Sequence, residues 1–316
     1  MKFFLLLVLL SSLLFSAKIQ EPAAQFKSSG GVVDIVYRDN KLYSATNAGC
    51  VDIFDLGTQT LVKQIKVDKI TDFIGDKIDS KVYSVDVIED KTLILSQAAK
   101  GFTRVHIHSN DTTELLIPDS QKLSISKARF LDENTILLAL LSNEIISYDI
   151  SKKKQNYRVQ ISQSKFSNFV LNEKKDEVVI ADESGDLKIH KTKDGSFIKA
   201  LRGQNLDNVF QVDYKNSVIA TAGQDRRVVI YEMKYGSAYY KTASFLIYSV
   251  GLSPSGKIVA YSSDENNNIT LFNTSTQSNI GVFGGNNMTL TNILFLNENE
   301  FLASSDDNII NLYKIK

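Results

Sequence analysis

Three histidines are the whole imidazole supply of this 316-residue chain. His106 and His108, in the stretch RVHIHS, stand two residues apart, so on a strand both would lie on one face, where they could hold a metal edge-on. No third His or Cys follows at a recognisable ligand spacing, and both histidines read as strand filler, as does His190. Cys50 is the single cysteine, which excludes an intramolecular disulfide and any cysteine-attached redox cofactor within one chain. No G-x-S-x-G elbow, H-E-x-x-H helix or Gly-rich phosphate loop occurs. The glycine pair of GVFGGNNMT reads as a connection, and no cofactor or metal is implied. Arg226 and Arg227 stand side by side at a polar turn, where exposed arginines can anchor an acidic partner.

The elements that would carry these residues are repeated. Hairpins of one shape recur: KLYSATNAGCVDIFDL, TLILSQAAKGFTRVHIH, TILLALLSNEIISYDI, EVVIADESGDLKIHKT, SVIATAGQDRRVVIYEM, KIVAYSSDENNNITLFNT and EFLASSDDNIINLYKI. Their first apolar residues are Leu42, Leu93, Ile136, Val178, Val218, Ile258 and Phe301, separated by 51, 43, 42, 40, 40 and 43 residues. That period belongs to four-stranded propeller blades. The nearly continuous apolar runs require each hairpin to be covered on both faces, which neighbouring blades would do. An all-β, seven-bladed propeller of antiparallel four-stranded blades is therefore expected over residues 18–316. The last hairpin ends at Lys316 after its third strand, so the missing strand must come from elsewhere. Residues 24–28 are expected to supply it and close the ring, with Pro22 tolerable on such an edge.

Aligning the innermost strands on SVGLSPSGK brings seven polar residues into one column: Asp34, Ser84, Lys127, Asn168, Gln211, Ser249 and Asn292. Such a column makes a polar collar near the axis. Two positions further on, Asp86, Arg129 and Asp213 interrupt apolar neighbours, and buried charges need partners. An Asp86–Arg129 pair across adjacent blades is expected.

Lys plus Arg and Asp plus Glu are 36 each, giving no reason to expect nucleic acid or an anionic membrane as partner. The start, MKFFLLLVLLSSLLFSAK, has one early lysine and an apolar run too short for a comfortable span. It reads as a secretory signal peptide over residues 1–17, leaving a soluble exported protein, with an uncleaved anchor as the alternative. The first inter-repeat gap is about ten residues longer than the rest. The excess lies in VDKITDFIGDKIDSKVYSVDV, where Phe73, Ile74 and Ile78 stand among Asp72, Asp76 and Asp79. A connection of this kind either tucks onto the rim or binds a partner.

The repeats resemble the WD-repeat pattern, including the Pro-Ser-Gly turn of IYSVGLSPSGK, although no Gly-His or Trp-Asp dipeptide occurs. Phe54-Asp55, Tyr148-Asp149, Tyr231-Glu232 and Phe272-Asn273 fill the Trp-Asp places. Without the family's His–Asp–Ser–Trp network, stability is expected to come mainly from packing between blades. The long connection, with GVVDIVYRDNKLYSATNAGCVDIFDL before it, is similar to the WD-repeat accessory proteins of periplasmic nitrate reductase systems. That resemblance implies a noncatalytic periplasmic interaction platform supporting nitrate reductase activity or assembly, with another periplasmic protein as partner. The alternative is a propeller enzyme, such as a lactonase-like hydrolase, acting at the axial channel.

Overall fold

The computed structural model describes residues 18–316; the signal-peptide reading of residues 1–17 lies outside them. Seven antiparallel blades follow one another around an axis, over residues 32–66, 82–117, 125–160, 166–201, 209–242, 250–283 and 290–314. Each blade runs from an inner strand at the axis outward. Two single 3-10 turns, Ala99–Gly101 and Asp119–Gln121, are the helical pieces among the described residues.

Blade seven has three strands of its own, and its outer strand is Ala24–Lys27, antiparallel to Ile309–Lys314 with Phe26 opposite Ile310. Phe26 is 1% exposed and packs among Leu302, Ile310 and Leu312, with its ring edge-on to Phe54 of blade one at 5.6 Å. The ring thus closes with Ala24–Lys27 and Ile309–Lys314 in one sheet. Ile19–Gln20 adds what the sequence did not announce, a fifth strand on blade six, parallel to Asn279–Phe283. A Cβ on Gly284 would lie 2.6 Å from Ile19, and one on Gly281 2.7 Å from Gln20. The glycines of GVFGG therefore make room for the N-terminal segment rather than merely joining two blades.

The buried apolar residues form seven clusters, and each cluster spans one blade–blade interface. The hairpin around Thr221 shows how. Ile219, Val229 and Tyr231 face blade four, whereas Ala220, Ala222, Val228 and Ile230 face blade six. Period-two alternation, with both faces apolar, is what a strand between two sheets requires. Between blades six and seven the approach is so close that a Cβ on Gly251 would sit 2.5 Å from the Ile293 carbonyl oxygen.

Packing between blades is joined by buried hydrogen bonds. At blade five, Thr221 Oγ1 donates to Asn205 Oδ1 at 2.7 Å, and Asn205 Nδ2 donates to the Tyr231 hydroxyl at 3.1 Å. At blade four, the buried Asp182 accepts from Asn143 Nδ2 at 2.8 Å, Ser162 Oγ at 2.7 Å and Lys188 Nζ at 2.7 Å.

Phe26→Ala removes the largest side chain of the closing strand from a filled interface and is expected to cost about 3–5 kcal/mol. Urea unfolding of the purified protein measures it. A change below about 1 kcal/mol, the range of surface substitutions, would mean that the N-terminal strand does not hold the ring shut.

Candidate functional site

The collar column lies at the axis, and a backbone irregularity aims it there. In blades one to five and in blade seven the inner strand slips register immediately before the collar residue, as where Val32 and Asp34 pair with consecutive residues of the next strand. One residue is left over each time. Bulges of this kind bend a strand and re-aim the next side chain.

Five of the seven collar side chains then bond to the backbone of the following blade. Asp34 Oδ2 accepts from the Val85 N–H at 3.0 Å, and Ser84 Oγ donates to the Ala128 carbonyl at 3.0 Å. Lys127 Nζ donates to the Phe169 carbonyl at 2.9 Å, and Gln211 Oε1 accepts from the Val250 N–H at 2.9 Å. Asn292 Nδ2 donates to the Val33 carbonyl at 3.1 Å, across the closure. Asn168 and Ser249 turn back instead, accepting from Lys127 and donating to Gln211. The collar is a ring of joints between blades, not simply a wet lining.

The expected Asp86–Arg129 pair is corrected. Arg129 passes Asp86 and binds Asp34 with both terminal nitrogens, at 2.9 and 3.0 Å, while its Nη1 also donates to Ser84 Oγ at 2.6 Å. It thereby ties blade three to blade one over blade two. The Asp86 carboxylate accepts the Phe130 N–H at 2.7 Å, and Asp213 accepts the Leu252 N–H at 2.8 Å. Below the collar a cavity of about 330 Å³ runs toward the turns that follow the inner strands. It is lined by four acidic and four basic side chains: Asp34, Asp86, Glu173 and Asp213 against Lys127, Arg129, Lys175 and Lys215. Burial brings the Lys127 ammonium down to about 7, helped by the neighbouring Arg129 charge. Burial also pushes the Asp86 carboxyl above the usual carboxylate range, against the pull of Arg129.

The long connection sits at the opposite face, where the inner strands begin. Ile70–Thr71 pairs with Lys77–Ile78 as a small hairpin standing off the rim. Its tip is held by Asp72, whose Oδ1 accepts from the N–H groups of Ile74, Gly75 and Asp76, each at 2.9 Å. Gly75 has φ +104, a conformation that side chains resist. The base is fixed by Arg104, which donates to the Asp68 carbonyl at 2.7 Å and Ser80 Oγ at 3.1 Å, and by a Lys69–Asp79 pair at 3.0 Å. Ile70 is buried, but Phe73 is 97% exposed, Ile74 72% and Ile78 38%.

Other candidates separate. Arg226 is exposed at a left-handed turn position, whereas Arg227 is half-buried, stacked on Tyr240 at 4.0 Å and donating to the Gln204 carbonyl. The two side chains thus lie in different surroundings. His106 is buried against Ser96 at 3.0 Å and brought down to about 4 by burial, and His108 lies between Lys63 and Thr113. Neither histidine belongs to a group of three metal-ligating side chains among the described residues.

Lys127 makes a pH prediction. An unfolded lysine titrates near 10.5 and the folded one about 7, so between those values the native state binds fewer protons and stability rises with pH. The contribution is complete above the unfolded value and is lost as pH falls through the folded one. Lys127→Met should remove this slope, so its stability relative to wild type should be greatest at or below about pH 7 and should shrink toward pH 10. Urea midpoints at both ends measure it. Parallel pH profiles would contradict the burial of this charge.

Neither a family model nor any curated protein matches this chain, so its functional reading stands on the axis and the rim hairpin themselves.

Proposed function

We propose that the protein is a noncatalytic interaction platform, exported to the periplasm, that supports the activity or assembly of a periplasmic nitrate reductase through its rim hairpin. A propeller suits a platform generally, because a rigid ring can hold loops at fixed positions. The observation that carries the reading is the pair Phe73–Ile74, held in the open by a tip whose backbone is tied three times to Asp72. Apolar side chains so exposed give up about 1.5–3 kcal/mol each of potential burial, which a partner pocket would recover. Because the tip is already ordered, little conformational entropy is lost on docking. Asp76 beside it would steer a basic partner and contribute mainly to the association rate, whereas Asp79 is paired with Lys69.

The enzyme reading asks for a free nucleophile or base at the axis. Asp34 and Asp213 are occupied by backbone N–H groups, and Asp34 by Arg129 as well, but Asp86 and Lys127 keep capacity toward the cavity, so the platform is preferred on the exposed hairpin and not on an empty axis.

The test is binding of the purified protein to purified periplasmic nitrate reductase by calorimetry. Phe73→Ala with Ile74→Ala should weaken the complex at least about tenfold, as loss of a hot spot does, with the melting temperature unchanged. Absence of any complex with the wild type would defeat the nitrate reductase reading. Loss of several degrees of melting temperature with unchanged binding would make the hairpin structural.

A further inference from the structure

The axial cavity is independent of the hairpin and opens at the other face. Its charges are equal in number but not in occupation. Among the acids, Asp34 holds Arg129 and the Val85 N–H, and Asp213 takes the N–H groups of Tyr214 and Leu252, with Lys215 at 3.8 Å. Asp86 takes the Phe130 N–H on one oxygen at 2.7 Å and has no ion-pair partner within 4 Å among the described residues. Among the bases, Arg129 is committed to Asp34, and Lys175 reaches from the cavity mouth to the Phe130 carbonyl at 2.8 Å. Lys127 lies deeper, at the collar. Its contacts are the neutral oxygens Asn168 Oδ1 at 2.8 Å and Phe169 O at 2.9 Å, with the Phe169 ring centroid at 5.4 Å.

An ammonium has three N–H donors, so Lys127 keeps one for the cavity, with no carboxylate within ion-pairing distance among the described residues. Lys127 and Asp86 therefore keep capacity toward one cavity, are opposite in charge, and are not within ion-pairing distance of each other among the described residues. A buried charge without a counter-charge is costly. The titration of both groups moves in the direction that cost dictates, Lys127 downward and Asp86 upward. One ligand relieves both if it carries both charges.

We propose that the axial cavity binds a small zwitterion, an α-amino acid, with its carboxylate on Lys127 Nζ and its ammonium on Asp86. The volume of about 330 Å³ lies at the small end of ligand pockets and matches such a molecule. Phe169 and Leu252 supply apolar wall for a short side chain. A simple anion is a poorer occupant, because Asp34, Asp86 and Asp213 line the same space.

Calorimetric titration of the full mature chain with glycine, L-alanine and L-leucine tests this, with acetate and ethylamine as the single-charge probes. At least one amino acid should bind and raise the melting temperature, as any ligand specific for the native state does. Neither single-charge probe should bind as tightly. Lys127→Met and Asp86→Asn, each checked for native circular dichroism, should each weaken the amino acid at least about tenfold, about 1.4 kcal/mol. Should either variant fail to fold, a saturating amino acid should still slow trinitrobenzenesulfonate labelling of Lys127 in the wild type, read by peptide mass. No amino acid binding up to about 10 mM, at which even a millimolar site would be mostly filled, would overturn the proposal. Acetate binding equally well, or amino acid binding unaffected in both folded variants, would overturn it as well.

Discussion

Everything in this molecule follows from the need to close a ring. A blade is a sheet with two apolar faces, and neither face can be left to water. Seven blades cover one another's faces only if the seventh meets the first. Phe26 performs that meeting, since it belongs to the outer strand of blade seven and touches Phe54 of blade one. Asn292, bonded to the Val33 carbonyl, repeats the closure at the axis. The inner and outer radii of the last interface are thus both secured.

Closure also explains the polar axis. Seven inner strands converging on one line bring backbone N–H and C=O groups together where no ladder partner remains, and such groups must find bonds elsewhere. The collar side chains supply them from the preceding blade, aimed by bulges. Arg129 and Asp34 add a tie over three blades. Burial of a pair like this weakly favours stability but strongly penalises the loss of one partner. Lys127 and Asp86 differ from that pair because each keeps bonding capacity toward the cavity, which is what separates a joint from a site.

Much of the architecture was legible in the sequence. Spacing of the hairpins carried the blade count, and counting strands located the closing segment at Ala24–Lys27 to within a residue. The polar column was legible too, because its members precede apolar residues at one register. What they bond was not. An Asp86–Arg129 pair is the natural reading of neighbouring blades, yet the guanidinium is long enough to reach Asp34 beyond. The hydrogen-bond networks around Asn205 and Asp182 were hidden because most of their members lie far apart in sequence and follow no dipeptide pattern. Ile19–Gln20 could not be read as a strand from two residues, although the glycines opposite it were visible. Exposure of Phe73 was undecidable from sequence, since an apolar residue in a long loop serves equally well as a cap. Asp72 settles the tip by binding three successive N–H groups, leaving no slack for the side chains to fold inward.

The central claim, that the N-terminal strand is an integral part of a cooperative ring, is tested most directly by native-state hydrogen exchange read by mass spectrometry. Amides of Ala24–Lys27 that bond to Ile309–Lys314 should exchange with nearly the same free energy as those of the blade seven interior, near the global unfolding value. Exchange of the N-terminal strand at a free energy near zero, with blade seven still protected, would show that the strand frays independently and that the ring does not depend on it.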